Sequence, residues 1–125
     1  MGPLRPLNVP AGRHLMAWRT RLGRSTAIRN LDQLAVALQA RRYRLVKLYQ
    51  ADELPGRPPL LWVFALGPDE HVRIAVGVRA MLGGGWAYYE AGRGARGYLS
   101  SCDNLKHATD QVDGLLKHRM FPSTW

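Results

Sequence analysis

From Asn30 onward the apolar residues fall at Leu31, Leu34, Ala35 and Leu38, the i, i+3, i+4, i+7 spacing that lines one face of an α-helix. The spacing predicts a helix beginning near Asn30. Asn30 can accept a hydrogen bond from a free N–H of the first turn, and Gln33 stands three residues on, as in a capping box. Asp32 near the start and Arg41 and Arg42 at the end complement the helix dipole. The period then shortens to that of strands. Residues 43–49 are rich in aromatic and aliphatic side chains, which suit a pleated surface. Leu60–Leu66 is apolar at every position and reads as a strand buried on both faces. Val72, Ile74, Val76 and Val78 alternate with Arg73, Ala75, Gly77 and Arg79, the pattern of a strand that buries one face. Trp86–Glu90 is a fourth candidate. The links contain Pro55-Gly56, Pro58-Pro59, Gly67-Pro68-Asp69 and Gly83-Gly84-Gly85; such short turn-like links make an antiparallel meander of consecutive strands. Helical spacing returns at Leu105, Ala108, Val112 and Leu115. It predicts a second helix over about 101–119, with Ser101 or Asp103 as its cap and Pro122 just beyond. Lys106–Asp110 and Asp113–Lys117 are i,i+4 pairs on its wet side.

This order predicts an α+β fold: a helix, a four-stranded antiparallel meander and a second helix, with both helices on one face of the sheet. Residues 1–29 form a basic N-terminal arm, 30–121 a single α+β domain and 122–125 a tail. Met16-Ala17-Trp18 also has the form of a second translation start. The apolar second strand poses a question of cover. Leu60, Trp62, Phe64 and Leu66 project to one side, and Leu61, Val63 and Ala65 to the other. Both sets are apolar, so the sheet face away from the helices should meet the arm, a second subunit or a partner. Leu61, Val63 and Tyr89 are the candidate interface residues on that face.

The length, 125 residues with 46% hydrophobic, allows one domain with a core of its own. A single cysteine, Cys102, excludes an internal disulfide and a cysteine-rich zinc site, and it fits a reducing, cytoplasmic setting. No run approaches the roughly 18–20 apolar residues that span a bilayer.

Charge changes the picture more. The net charge is +9, and six arginines with no acid lie in residues 1–29. The basic arm therefore points to nucleic acid or an acidic protein. The candidate binding residues are Arg13, Arg19, Arg21, Arg24 and Arg29, extended by Arg41, Arg42 and Arg44 and by Arg93 and Arg96 of the glycine-rich loop. Arginine outnumbers lysine 15 to 3, alongside abundant Ala, Gly and Pro. A GC-rich genome produces that bias too, so clustering carries more weight than number.

Motifs for chemistry are sparse. Gly92-Arg93-Gly94-Ala95-Arg96-Gly97 matches G-x-G-x-x-G, but Tyr98-Leu99-Ser100 separates it from the next helix. A dinucleotide site needs the last glycine in the helix's opening turn, within a parallel βαβ unit. Cys102 and His107 are five apart and do not share a helix face, as a thiol–imidazole nucleophile requires. Asp103 and His107 are four apart, which reads as a helical ion pair; two ligands do not make a metal site. Asp52-Glu53 and Asp69-Glu70 fall in turns, where solvation explains them. No catalytic residue, cofactor or metal is assigned. Trp86, Tyr88 and Tyr89 beside Arg93 and Arg96 suggest a surface on which bases stack, although Trp86 and Tyr88 share a parity that suits the core.

The helix–strands–helix order invites comparison with the double-stranded RNA-binding domain. That family grips phosphates with basic residues at the start of its last helix, where this chain has Ser101-Cys102-Asp103-Asn104-Leu105-Lys106, and the chain departs from it there. From Asn30 to Leu116 the chain resembles small uncharacterised actinobacterial proteins. The shared features are Arg41-Arg42-Tyr43 at the end of the first helix, Pro58-Pro59, Gly84-Gly85-Trp86 and Ala108-Thr109-Asp110. The resemblance implies an accessory or regulatory role. The expected function is a non-catalytic binding module whose basic arm meets nucleic acid or an acidic protein. The alternative is a homodimeric adaptor or chaperone-like protein that uses the apolar second sheet face.

Overall fold

The structure, a computed structural model, describes residues 23–49, 58–66 and 71–120. Helix α1 (Arg24–Ala40) leads into strand β1 (Arg44–Leu48), followed by β2 (Leu60–Leu66), β3 (His71–Ala80) and β4 (Trp86–Glu90). A 3-10 turn (Gly94–Gly97) precedes β5 (Tyr98–Ser101), and helix α2 (Leu105–Met120) ends the described chain. The strands pair in sequence order, β1-β2-β3-β4-β5, and every pairing is antiparallel. The α+β class and the meander agree with the sequence reading; the sheet has five strands rather than four.

Strand β5 is the addition. It is four residues long and joins β4 through a register shift at Tyr88/Tyr89. So short a run between a glycine loop and a helix cap shows no alternation, and its Ser100-Ser101 end resembles a cap. Both serines do serve the approach to α2. The buried Ser100 hydroxyl donates to the Ser101 carbonyl at 3.0 Å, and Ser101 Oγ accepts from the Asp103 N–H at 3.1 Å. The cap itself is Asn104, whose Oδ1 accepts from the His107 N–H at 3.0 Å. Helix α2 therefore starts later than expected.

Helix α1 starts earlier than expected, at Arg24, with Gly23 at the N-cap and no side-chain cap bond. Its buried stripe is Ala27, Leu31, Leu34, Ala35 and Leu38. Ala27 lies four residues before Leu31, so the apolar face continues one turn back, and packing outweighs the cap signal at Asn30. Asn30 sits inside the helix, where its carbonyl accepts from the buried Tyr88 hydroxyl at 2.6 Å. The boundary expected at residue 29 therefore moves: Arg24 and Arg29 belong to the first helix, not to an arm. At the other end the Tyr43 N–H reaches back to the Leu38 carbonyl at 3.3 Å, and Arg42 has φ 70°. This is a left-handed helix stop, a position that usually holds glycine.

Both helices pack on the same face of the sheet. Leu61 and Val63 of β2, Ile74, Val76 and Val78 of β3, and Tyr88 of β4 join α1 and α2 in a single core cluster. Ala108, Thr109, Val112 and Leu116 are the buried positions of α2, so Leu116 takes the place expected for Leu115, which is half-buried. Buried Thr109 satisfies its hydroxyl on the Leu105 carbonyl at 2.8 Å. Arg41 ties the end of α1 to α2 through Asp110 at 2.7 Å and Asp113 at 3.3 Å. The i,i+4 pairs Lys106–Asp110 and Lys117–Asp113 form, each at 3.1 Å. No helix among the described residues is long and apolar enough to cross a membrane.

Candidate functional site

Strand alternation divides the sheet into a helix-covered face and a face that no described element covers. Register decides which residues lie on each. Leu61 pairs with Val76 and Val63 with Ile74, so these four share the helix side. Leu61 and Val63, expected as interface residues on the free face, are fully buried beneath the helices. The physical reason lies in β3. Its valines and isoleucine must face the core, and cross-strand neighbours share a face. The free face therefore receives Leu60, Trp62 and Phe64 from β2, with Arg73, Ala75, Gly77 and Arg79 from β3. Tyr89, paired with Gly77, lies on the free face as expected. Arg44, Val46 and Leu48 extend that face across β1, because they pair with Phe64, Trp62 and Leu60.

The free face alternates flat rings with guanidinium groups. Trp62 and Phe64 lie two residues apart on β2, with ring centroids 6.2 Å apart and planes at 26°. Tyr89 meets Tyr98 of β5 edge-on at 5.5 Å. The Arg73 guanidinium lies over Trp62 at 5.2 Å from the ring centre, and that of Arg79 over Tyr89 at 4.8 Å. Cations over aromatic faces at such distances are attracted by the ring quadrupole. The described part of this face carries no carboxylate. Among the described residues, Arg44, Arg73 and Arg79 form no ion pair. Trp86 and Tyr88 point the other way and pack with the core.

Of the ten arginines expected from the sequence, the seven described do not assemble at one place. Arg13, Arg19 and Arg21 lie outside the described residues. Arg24 donates to the Tyr49 carbonyl, and Arg29 is exposed on α1. Arg41 is held by Asp110 and Asp113, and Arg93 by Glu90 at 3.3 Å. Arg96 is exposed in the 3-10 turn. Arg42 and Arg44 line a cavity of about 590 Å³ together with Arg41, Tyr43, Phe64, Asp113 and Lys117. Four cations there face one carboxylate, and Arg44 and Phe64 join the cavity to the free face. Burial would raise the Asp113 carboxyl, but hydrogen bonds from Tyr43 and Lys117 and the charges of Lys117 and Arg41 hold it below its usual range. Arg73 and Arg79 are not among the residues expected from the sequence. They read as the wet side of an ordinary strand, and only their parity with Trp62 and Tyr89 distinguishes them.

The remaining motifs do not assemble a reactive centre. His107 Nδ1 lies 3.0 Å from Ser100 Oγ and its Nε2 lies 3.1 Å from Gln111; these contacts stand in place of the ion pair expected between Asp103 and His107. The glycine-rich loop joins two antiparallel strands, a setting without the helix N-terminus that pyrophosphate needs. No group of three or more metal-ligating side chains occurs among the described residues. Cys102 lies beside Tyr88, and burial, helped by the Asp103 charge, pushes its thiol up to about 12. The thiolate is the reactive form. Cys102 is therefore expected to resist a maleimide or disulfide reagent at pH 8 in the folded protein and to react rapidly once urea unfolds the chain. Equal rates in both states would show the thiol to be accessible and ionised.

Comparison with protein families, with curated proteins and with solved structures finds no match for this chain.

Proposed function

We propose that this chain is a non-catalytic accessory module that binds nucleic acid in the cytoplasm. The observation that carries this reading is the free sheet face, where Arg44, Arg73 and Arg79 lie among aromatic rings without a described carboxylate. Arginine is the side chain best suited to phosphate, because its planar fork offers several donors. The net charge of +9 adds long-range attraction for a polyanion. An acidic protein satisfies the same charge, but the half-buried rings of Trp62, Phe64 and Tyr89 and the exposed ring of Tyr98 favour a partner with flat bases. The accessory role implied by the actinobacterial resemblance is consistent with a binding surface.

Binding of this kind releases counterions, so its affinity should fall steeply as salt rises. The full chain titrated into labelled DNA or RNA at about 50 mM salt should bind, and log K should decline linearly with log salt. No detectable binding at that salt would overturn the reading. The second reading is a homodimeric adaptor. It is favoured by Val46 and Leu48, apolar side chains each 46% exposed on the same face. A dimer in light scattering, together with no affinity for polyanions, would select it.

A further inference from the structure

Aromatic rings on a protein surface do not by themselves distinguish among nucleic acids. Their orientation and neighbours do. In a duplex the flat face of each base is occupied by its stacked neighbours, so only an unpaired base can lie on a side-chain ring. Duplex readers insert a helix or ribbon into a groove, and no described element projects from the free face of this sheet.

Resting on the nucleic-acid reading above, we propose that the free face is a stacking platform for single-stranded nucleic acid, with unpaired bases on Trp62 and Tyr89 and phosphates on Arg44, Arg73 and Arg79. The two rings belong to β2 and β4, two strand spacings apart across the sheet and two residues apart along it, so their Cα positions stand roughly 12 Å apart. Between them β3 presents Ala75, paired with Trp62, and Gly77, paired with Tyr89. These small residues leave a shallow floor between the ring sites, flanked at Gly77 by the Leu60 side chain, 3.3 Å from where a Cβ would stand. Tyr98, 49% exposed and set edge-on to Tyr89, bounds the floor at β5, and Phe64, stacked on Trp62, extends it toward the cavity beside β1. Arg73 and Arg79 already rest over the two rings. Such contacts are weak at an exposed site, so an arriving base displaces the guanidinium from the ring, and the tethered cation pairs with a neighbouring phosphate.

Charge complementarity selects this occupant over the alternatives within the chain. A second copy laid face to face would bring two sets of Arg44, Arg73 and Arg79 together with no described carboxylate to neutralise them. Residues 1–22 contain four arginines and no acid, so they carry the same sign as the face. A polyanion with unpaired, flat bases satisfies both charge and rings.

The test uses the full chain with a labelled homopyrimidine single strand and a duplex of equal length, at low and moderate salt. The single strand should bind at least about tenfold more tightly than the duplex. Trp62→Ala and Tyr89→Ala should each lose roughly tenfold or more for the single strand, the scale of one base–aromatic stack. Arg73→Gln and Arg79→Gln should each weaken binding and reduce the salt slope, without a change in circular dichroism. Trp62→Phe supplies a control that keeps a ring and changes little in bulk: affinity should stay within about threefold, while any strand-induced quenching of tryptophan fluorescence falls. Equal binding of single strand and duplex, with the Trp62, Tyr89, Arg73 and Arg79 variants all at wild-type affinity, would overturn the stacking platform and leave the broader nucleic-acid reading standing. Absence of binding to either probe would overturn both.

Discussion

Leu38→Ala is expected to destabilise the protein by about 2–5 kcal/mol, the range for deleting a buried leucine side chain without full collapse of the space left behind. Leu38 is 0% exposed at the end of the buried stripe of α1, where helix, sheet and α2 meet in one core. Val36→Ala, two residues away on the same helix, is the internal comparison. Val36 is 68% exposed, so its truncation should change stability by no more than about 0.5 kcal/mol. Any change should favour the variant, because alanine is the better helix former. Urea unfolding followed by circular dichroism measures both. The midpoint should fall sharply for Leu38→Ala with little change in slope, since the slope reports surface exposed on unfolding. Wild-type-like unfolding of Leu38→Ala would place α1 away from the sheet.

Gly97→Ala is expected to cost about 2 kcal/mol or more, at the upper end of ordinary overpacking. A Cβ at Gly97 would stand 2.4 Å from the Glu90 carbonyl oxygen and 3.1 Å from Arg93 Cβ. The nearest atom is backbone, so a side chain cannot simply rotate away. Glu90 is also poorly placed to yield. Its carboxylate takes two hydrogen bonds from Arg119 of α2, at 2.8 and 3.0 Å, and an ion pair from Arg93. Displacing the end of β4 would therefore disturb the tether of α2. Gly94→Ala in the same turn isolates a different cause. Nothing lies within 4 Å of its added Cβ, but φ is 57°, so the cost should be only the left-handed penalty of about 1–2 kcal/mol. Thermal and urea unfolding should rank Gly97→Ala as the more damaging. The reverse order would show that the 3-10 turn does not press against the end of β4.

The sequence made the periodic elements, the meander order and the common side of the helices legible and left the facing of β2 open. Leu31, Leu34, Ala35 and Leu38 identified the face of α1, and Val72 to Val78 identified the one-sided burial of β3, because both patterns are long enough to repeat. Strand β2 could not be oriented from its own residues, since Leu60–Leu66 is apolar on either side. Only pairing with β3 decides it, and register depends on contacts distant in sequence rather than on local spacing. That is why Leu61 and Val63 lie on the face opposite to the one expected and why Trp62, Arg73 and Arg79 do not stand out in the sequence as a group. The start of α1 departs from the expectation for the opposite reason. Asn30 had the chemistry of a cap, but Ala27 offered a further buried turn, and burial outweighed the local signal. β5 was too short to announce itself.

The outer strand β1 has a consequence for how the protein behaves at high concentration. An uncovered edge offers unpaired backbone donors and acceptors to any other extended chain, and such edges are routes to aggregation. Here β1 spans only Arg44–Leu48, with Arg44 turned to the free face and Lys47 turned to the helix side, where it meets Asp32 at 2.9 Å. A second molecule adding strand to strand would bring its own Arg44 and Lys47 into the same five-residue ladder, with one cation on each side of the sheet. The opposite edge, β5, is four residues long. Short length at both edges, and charge on both sides of one, favour separate molecules over endless sheets without closing the broad face between them.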